Sequence, residues 1–297
     1  MREQRLSMIV DTRSRRPQAI AEAAAARRRP EGRLDESGHT LVIAADHPAR
    51  GALGAGRAAH AMADRTELLD RLCEALSRPG VGGLLGTPDI VEDLLLLGAL
   101  DGKAVYGSMN RGGLAGASFE LDDRFTAYDA AAIARAGFEG GKMLVRIDAD
   151  DPGSLATIEA CSRAVGDLAG RELVAMIEPF ICRRTDGRLR VELTPEAVVR
   201  SSAIAAGLGT TSAYTWLKLP VVEDMERVAA ATTLPVLLLG GEVSEDQDAA
   251  FERWAQALTL PTVIGLVVGR SLLYPPNNDV AAAVDAAVGL LPRAVAR

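Results

Sequence analysis

Two lysines stand inside apolar stretches of this 297-residue chain: Lys218 in "AYTWLKL" (213–219) and Lys142 in "KMLVRID" (142–148). Burial strips water from an ammonium and lowers its pKa, so a buried lysine is more often a free amine near neutrality. A free amine adds to a ketone or aldehyde and gives an imine; the protonated imine is an electron sink that eases cleavage of a neighbouring C–C bond. Residue type alone leaves Lys218 two readings, that nucleophile or a strand-end lysine whose head reaches water. Lys142 follows "EGG" and by position reads as the exposed start of a strand. If it were buried instead, its charge would lower the pKa of Lys218 further.

Other polar residues fall where apolar runs end. Glu178 closes "ELVAMIE" (172–178) and could carry protons during imine formation and C–C scission; its structural alternative is an ion pair with Arg146 or Lys142. Asp46 closes "LVIAAD" (41–46) and could accept hydrogen bonds from substrate hydroxyls, or cap the following turn. His47 follows it and is either a substrate contact or a structural turn residue. "GSMNRGG" brings Asn110 and Arg111, the arginine a candidate substrate or phosphate contact. "LLGGEVS" and "LVVGRSLLY" place Gly240, Gly241, Gly269 and Arg270 at two further ends. Glycine lets backbone N–H groups approach an anion, and arginine adds a fork of donors, so this pairing points to a phosphate cradle. Tight turns would explain the glycines but not the arginine.

These residues need a scaffold that gathers strand ends. Eight short apolar runs qualify as buried parallel strands: 41–46, 82–86, 103–109, 142–148, 172–178, 213–219, 235–241 and 262–269. Amphipathic stretches separate them. Residues 63–79 carry Leu68, Leu69, Leu72 and Leu76 at helical spacing. Helices are also expected over 87–100 with a Thr cap, 154–170 with a Ser cap, 194–209 with a Thr cap, 244–258 and 279–295. Alternating strands and helices predict an α/β fold, a (β/α)8 TIM barrel over residues 35–297, whose strand C-termini would carry the chemistry. A doubly wound sheet is the alternative, but "GALGAG" lacks the G-x-G-x-x-G spacing. Residues 1–34 are expected to form a helical extension, with a helix at about Gln18–Arg28 packing on the base of the barrel; a basic arm for an anionic partner is the other reading.

Composition excludes several classes. Net charge is −7, which disfavours nucleic acid as a partner, although a local basic pocket can still take a small anion. Cys73, Cys161 and Cys182 are far apart, without C-x-x-C spacing, and read as reduced thiols in a cytoplasmic protein, with no metal site and no cofactor. No apolar run is long enough to span a membrane. Many large barrels self-associate, and a homo-oligomer is compatible with the sequence, although no surface patch points to one.

"AADHPARGAL", "GGKMLVRID", "AMIEPF", "WLKLP", "LLLGGEVS" and "GLVVGRS" occur in that order over about residues 40–275, and together they resemble the class I, Schiff-base-forming aldolases, especially the tagatose-bisphosphate aldolase branch and the deoxyribose-phosphate aldolase-like superfamily. The resemblance implies that Asp46 is an active-site aspartate, Lys142 an active-site lysine, Glu178 the active-site glutamate and Lys218 the imine former. It implies a phosphate cradle at Gly240, Gly241, Gly269 and Arg270. The chain departs from the family where "HPA" separates Asp46 from Arg50. The expected activity is metal-independent cleavage of a phosphorylated ketose or keto acid in carbohydrate or inositol breakdown, releasing dihydroxyacetone phosphate and an aldehyde. One candidate substrate is 5-dehydro-2-deoxygluconate 6-phosphate. The alternatives are an acyltransferase on the same scaffold and a non-catalytic sugar-phosphate sensor.

Overall fold

The computed structural model describes residues 2–185, 188–241, 243 and 246–292. Among them nine strands form: β1 Thr40–Ala44, β2 Val81–Gly86, β3 Ala104–Ser108, β4 Gly140–Ile147, β5 Val174–Thr185, β6 Arg188–Val191, β7 Thr215–Pro220, β8 Val236–Leu239 and β9 Val263–Val268. All but β6 pair in parallel, in the order β4-β3-β2-β1-β9-β8-β7-β5, and the β4–β5 pairing closes the ring. The fold is therefore a closed (β/α)8 TIM barrel, and each of the eight expected strands is one of its staves. The helices are α1 Arg2–Arg15, α2 Ala19–Ala26, α3 Arg65–Ser77, α4 Pro88–Leu96, α5 Ala130–Arg135, α6 Gly153–Ala169, α7 Pro195–Ala206, α8 Met225–Ala230, α9 Gln247–Ala257, α10 Arg270–Leu273 and α11 Val280–Gly289.

Side chains alternate along each strand, so every stave contributes to two layers. The outward set packs under the helices: Leu41 and Ile43, Val105, Met143 and Val145, Leu217 and Leu219 join Leu72 of α3, Leu94 of α4 and Val165 of α6. The inward set fills the barrel: Val42, Ala44, Leu85, Tyr106, Met176, Trp216, Leu237 and Val267. Tyr106 and Trp216 meet there with ring centroids 6.1 Å apart. Full burial of a large apolar side chain contributes about 1.5–3 kcal/mol, so this filled interior closes the floor beneath any pocket at the mouth.

Several boundaries differ from the sequence reading, each for a local reason. Glu178 does not end its strand; β5 continues to Thr185 because it pairs with β4 as far as Ile147↔Ile181 and then with β6 in an antiparallel hairpin. Thr87 is not a capping acceptor, since its hydroxyl donates to Asp89 Oδ1 at 2.6 Å. Ser154 does not cap α6, which begins at Gly153; its buried hydroxyl accepts from Asp148 N at 3.0 Å and donates to Asp148 O at 2.9 Å. Thr194 does cap α7, accepting from Ala197 N at 3.2 Å. The last expected helix stops at Gly289. Glu242 of the "GGE" end, residues 244–245 of the expected 244–258 helix and residues 293–295 lie outside the described residues.

The N-terminal segment is tied to the barrel by arginines. Arg13 of α1 reaches Asp93 of α4 with Nη2 at 2.8 Å and Glu92 with Nη1 at 2.9 Å. Arg27, just past α2, is buried at the strand N-termini; it donates to Lys103 O at 2.5 Å, Gly137 O at 2.7 Å and Glu139 Oε1 at 3.1 Å. Among the described residues no helix is long and apolar enough to cross a membrane.

Candidate functional site

Four inward positions continue the apolar interior by one more residue pair: Ala44 is followed by Asp46, Tyr106 by Ser108, Met176 by Glu178 and Trp216 by Lys218. The two-residue period of a strand thus lifts Asp46, Ser108, Glu178 and Lys218 directly above the apolar floor. Lys142 joins them from β4, opposite Ser108 and Met176 in register. All five are buried: Lys142 is 1% exposed, Asp46 1%, Lys218 3% and Glu178 8%. Position had suggested an exposed Lys142; β4 instead starts two residues earlier, at Gly140, which carries Lys142 inside.

The charges alternate. Asp46 Oδ2 accepts from Lys142 Nζ at 3.2 Å and from Ser108 Oγ at 3.1 Å. Lys142 also contacts Glu178 Oε2, and Glu178 Oε1 lies 2.9 Å from Lys218 Nζ. Arg111 ion-pairs with Asp46, and its Nε donates to Ser108 Oγ at 2.9 Å. Glu178 therefore pairs with both lysines. Arg146, the other partner considered for it, turns instead to Asp123, with Nη2 2.7 Å from Oδ1.

This packing sets the protonation states. Burial lowers the pKa of Lys218, and Glu178 opposes that while Arg111 and Arg270 reinforce it; the outcome is below the usual lysine value. Burial, Arg111 and Lys218 hold Lys142 well below that value, against Glu178. Burial disfavours the Glu178 carboxylate, but Lys142, Lys218 and Arg111 outweigh it and hold its carboxyl well below the carboxylate range. Arg111 is pushed down to about 10 by burial and Arg146, and stays charged at neutral pH.

The glycine-rich ends border this cluster. Gly269 precedes α10, and Arg270 is close enough to act electrostatically on both Lys218 and His47. Arg270 Nε is buried without a hydrogen-bond partner. Gly240 O accepts from Ser271 Oγ at 3.4 Å, which joins the two turns. A Cβ on Gly269 would run into Ala44 O, and one on Gly240 into the Val268 side chain, so both glycines are required for close approach. Gly241 has φ 66°, which favours glycine. His47 stands beside Asp46, its Nδ1 3.8 Å from Asp46 Oδ1 and its side chain 25% exposed.

The structure thus gathers Lys218, Lys142, Glu178, Asp46, Arg111 and His47 at one mouth, with Arg270 and the glycine turns at its edge. Sequence reasoning missed Ser108, Glu120 and Asp123. Ser108 was legible from the period that relates it to Tyr106. Glu120 and Asp123 lie in the loop after β3, where no period exists; Glu120 Oε1 is 3.4 Å from Arg50 Nη2, and Arg50 Nε donates to Gly113 O at 3.0 Å. A separate groove of 570 Å³ runs outside the barrel between that loop and α6, lined by Phe119, Phe125, Ala160 and Arg163, and does not include the lysines.

A crystal structure of Cgl0159 from Corynebacterium glutamicum is 52% identical to this chain, covers 97% of each chain and superposes with a TM-score of 0.94. An archaeal fructose-1,6-bisphosphate aldolase, with its catalytic lysine covalently bound to the carbinolamine intermediate of the substrate, is 17% identical over 92% of this chain and 99% of its own, with a TM-score of 0.66. A Schiff-base-forming fructose-1,6-bisphosphate aldolase is 17% identical over 92% of this chain and 100% of its own, with a TM-score of 0.65. At that identity the likeness to the two aldolases is one of fold. No curated protein sequence matches the chain. The Cgl0159-like family profile matches residues 38–288, and the chain belongs to the Cgl0159-like family.

Proposed function

We propose that this chain is a class I aldolase that cleaves a phosphorylated ketose or keto acid through an imine on Lys218. The observation that carries the reading is Lys218 Nζ buried 2.9 Å from Glu178 Oε1, with Lys142 on the carboxylate's other oxygen. The aldolase neighbours, one with a lysine-bound carbinolamine, are consistent with it.

In this reading the neutral Lys218 amine attacks the substrate carbonyl. A C–N bond forms, the carbonyl π electrons move to oxygen, Glu178 carries one proton from nitrogen to that oxygen, and a second proton drawn from solvent lets it leave as water. The resulting iminium accepts the electron pair of the breaking C–C bond. An aldehyde departs and an enamine remains, which gains a proton at carbon and is hydrolysed to the ketone. Lys142, on the other oxygen of Glu178, holds that carboxylate in place beside Lys218, and Asp46, held by Arg111 and Ser108, binds a substrate hydroxyl. Arg270, with Gly240, Gly241 and Gly269, seats the phosphate.

The test is a cleavage screen of fructose 1,6-bisphosphate, tagatose 1,6-bisphosphate and 5-dehydro-2-deoxygluconate 6-phosphate in the presence of EDTA, paired with borohydride reduction in dihydroxyacetone phosphate. Chelator-resistant cleavage and added mass on Lys218 are expected. Absence of a trapped adduct would sink the mechanism.

A further inference from the structure

Cleavage of the C–C bond needs a group that takes the proton from the hydroxyl beside it. The carboxylates at the mouth are poorly suited. Asp46 is held by Lys142 and Arg111, and Glu178 by Lys142 and Lys218. Asp46, clamped in this way, resists protonation because its neutral form forfeits both attractions, and Glu178, 2.9 Å from Lys218 Nζ, is occupied with the proton of the imine nitrogen. Lys142 lies between two carboxylates and is committed to them.

His47 is placed differently. It lies in the turn after β1, between Asp46 and Pro48. Its Nδ1 is buried without a hydrogen-bond partner, and Asp46 Oδ1 at 3.8 Å is beyond hydrogen-bond reach. A quarter of the side chain remains exposed at the mouth. The charged groups facing it are Asp46 on its own segment, Arg270 at the start of α10, Lys218 on β7, Glu178 on β5 and Lys142 on β4. Burial first, then Arg270 and Lys218, keep its pKa well below the ordinary imidazole value of 6.5, against the pull of Glu178. The ring is therefore neutral at neutral pH and has a nitrogen to offer.

We propose that His47 is the catalytic base that removes the hydroxyl proton of the substrate as the C–C bond breaks. The O–H electrons become the new C=O bond of the departing aldehyde, and the C–C electrons pass to the iminium on Lys218, leaving an enamine. The proton rests on His47 and leaves to water through the exposed part of the ring. In the condensing direction the imidazolium protonates the new alkoxide. The inference rests on the imine reading of Lys218.

The experiment separates the two. Wild type, His47→Gln and His47→Asn are each reduced with borohydride in dihydroxyacetone phosphate, and each is assayed for condensation of dihydroxyacetone phosphate with glyceraldehyde 3-phosphate and with malonate semialdehyde. Both variants should trap dihydroxyacetone phosphate at Lys218 with half-saturation within about twofold of wild type, while kcat for condensation falls ~10²-fold or more. The pH limb of kcat that belongs to imidazole should disappear in both. A ring that merely supports the fold would not remove a pH limb while leaving trapping intact. Normal kcat in the variants overturns the role of His47 alone. Weakened trapping with unchanged kcat makes His47 a phosphate or substrate ligand and also overturns it. A wild-type enzyme that traps nothing, or that condenses neither aldehyde, overturns the aldolase reading and this inference with it.

Discussion

Lys218 Nζ stands 2.9 Å from Glu178 Oε1 in a layer that the barrel interior seals from below. An ammonium is costly in such a place, and the carboxylate is what makes it tolerable. The same pairing leaves the amine easily deprotonated, because burial and the neighbouring arginines oppose the carboxylate. A position that seems unfavourable for stability is thereby suited to nucleophilic chemistry.

Exchanging the two lysines tests their division of labour. Lys218→Met should abolish borohydride trapping and lower cleavage ~10⁴-fold or more, to background. Lys142→Met should still trap at the remaining lysine. Without Lys142 on its other oxygen, Glu178 pairs wholly with Lys218, so the Lys218 pKa rises and the acid limb of the trapping rate moves to higher pH. Peptide mass mapping after reduction decides between them; an adduct on Lys142 would reverse the assignment.

Glu178→Gln has an opposite sign. Glu178 raises the Lys218 pKa, so its loss lowers that value and shifts the acid limb of trapping to lower pH. The plateau rate should nevertheless fall ~10²-fold, because the amide cannot carry the proton needed for dehydration. A shift of the limb to higher pH would contradict the electrostatic account.

Arg270→Gln should act on binding and on pKa together. Its Nε is buried without a partner, as expected of a guanidinium kept for an anion. Losing a charge-assisted contact with phosphate costs about 1.5–3 kcal/mol, which is ~10–150-fold in KM for a phosphorylated substrate. Arg270 also lowers the Lys218 pKa, so the acid limb should move upward. Steady-state kinetics across pH measures both, and an unphosphorylated ketose should show the pKa shift without the KM effect.

The eight staves were legible because a buried strand writes itself as a short apolar run between breakers. The site was legible in part, because Lys218, Glu178 and Asp46 break such runs with a charge. Strand ends were less so. Glu178 looks terminal before Pro179, but its strand continues, since a proline on β5 opposite Val145 still permits β4 and β5 to run together. The β5–β6 hairpin was missed although Asp-Gly in "RRTDGRLR" is a turn signal; its strands carry four arginines and lack an apolar alternation. Within the helical extension expected over residues 1–34, α1 was not delimited as a helix of its own, being polar over most of its surface with Ile9 as its buried contact. The ion pairs of Arg50 with Glu120 and Arg146 with Asp123 join segments far apart in sequence, and no local pattern encodes such a meeting.

The last prediction concerns the opposite end of the barrel. Arg27 arrives from the N-terminal segment and buries its guanidinium among Lys103 O, Gly137 O and the Glu139 carboxylate, while Glu139 Oε2 accepts from Val105 N at 2.7 Å. Arg29 adds a second contact to Glu139 at 3.0 Å, but from an exposed position that screening weakens. Removing Arg27 therefore leaves Glu139 buried with its main countercharge gone, a loss of about 3–5 kcal/mol. Arg27→Ala should lower the melting temperature by roughly 6–20 °C. The double variant Arg27→Met with Glu139→Gln should recover part of that loss, since it removes the unpaired charge while an amide still accepts from Val105 N. Because this end is separated from Lys218 by the Tyr106–Trp216 layer, trapping at 25 °C should be unchanged in both variants. Thermal denaturation alongside borohydride trapping measures the two effects in one preparation; a variant that kept its melting temperature would show that the N-terminal segment contributes little to holding the barrel closed.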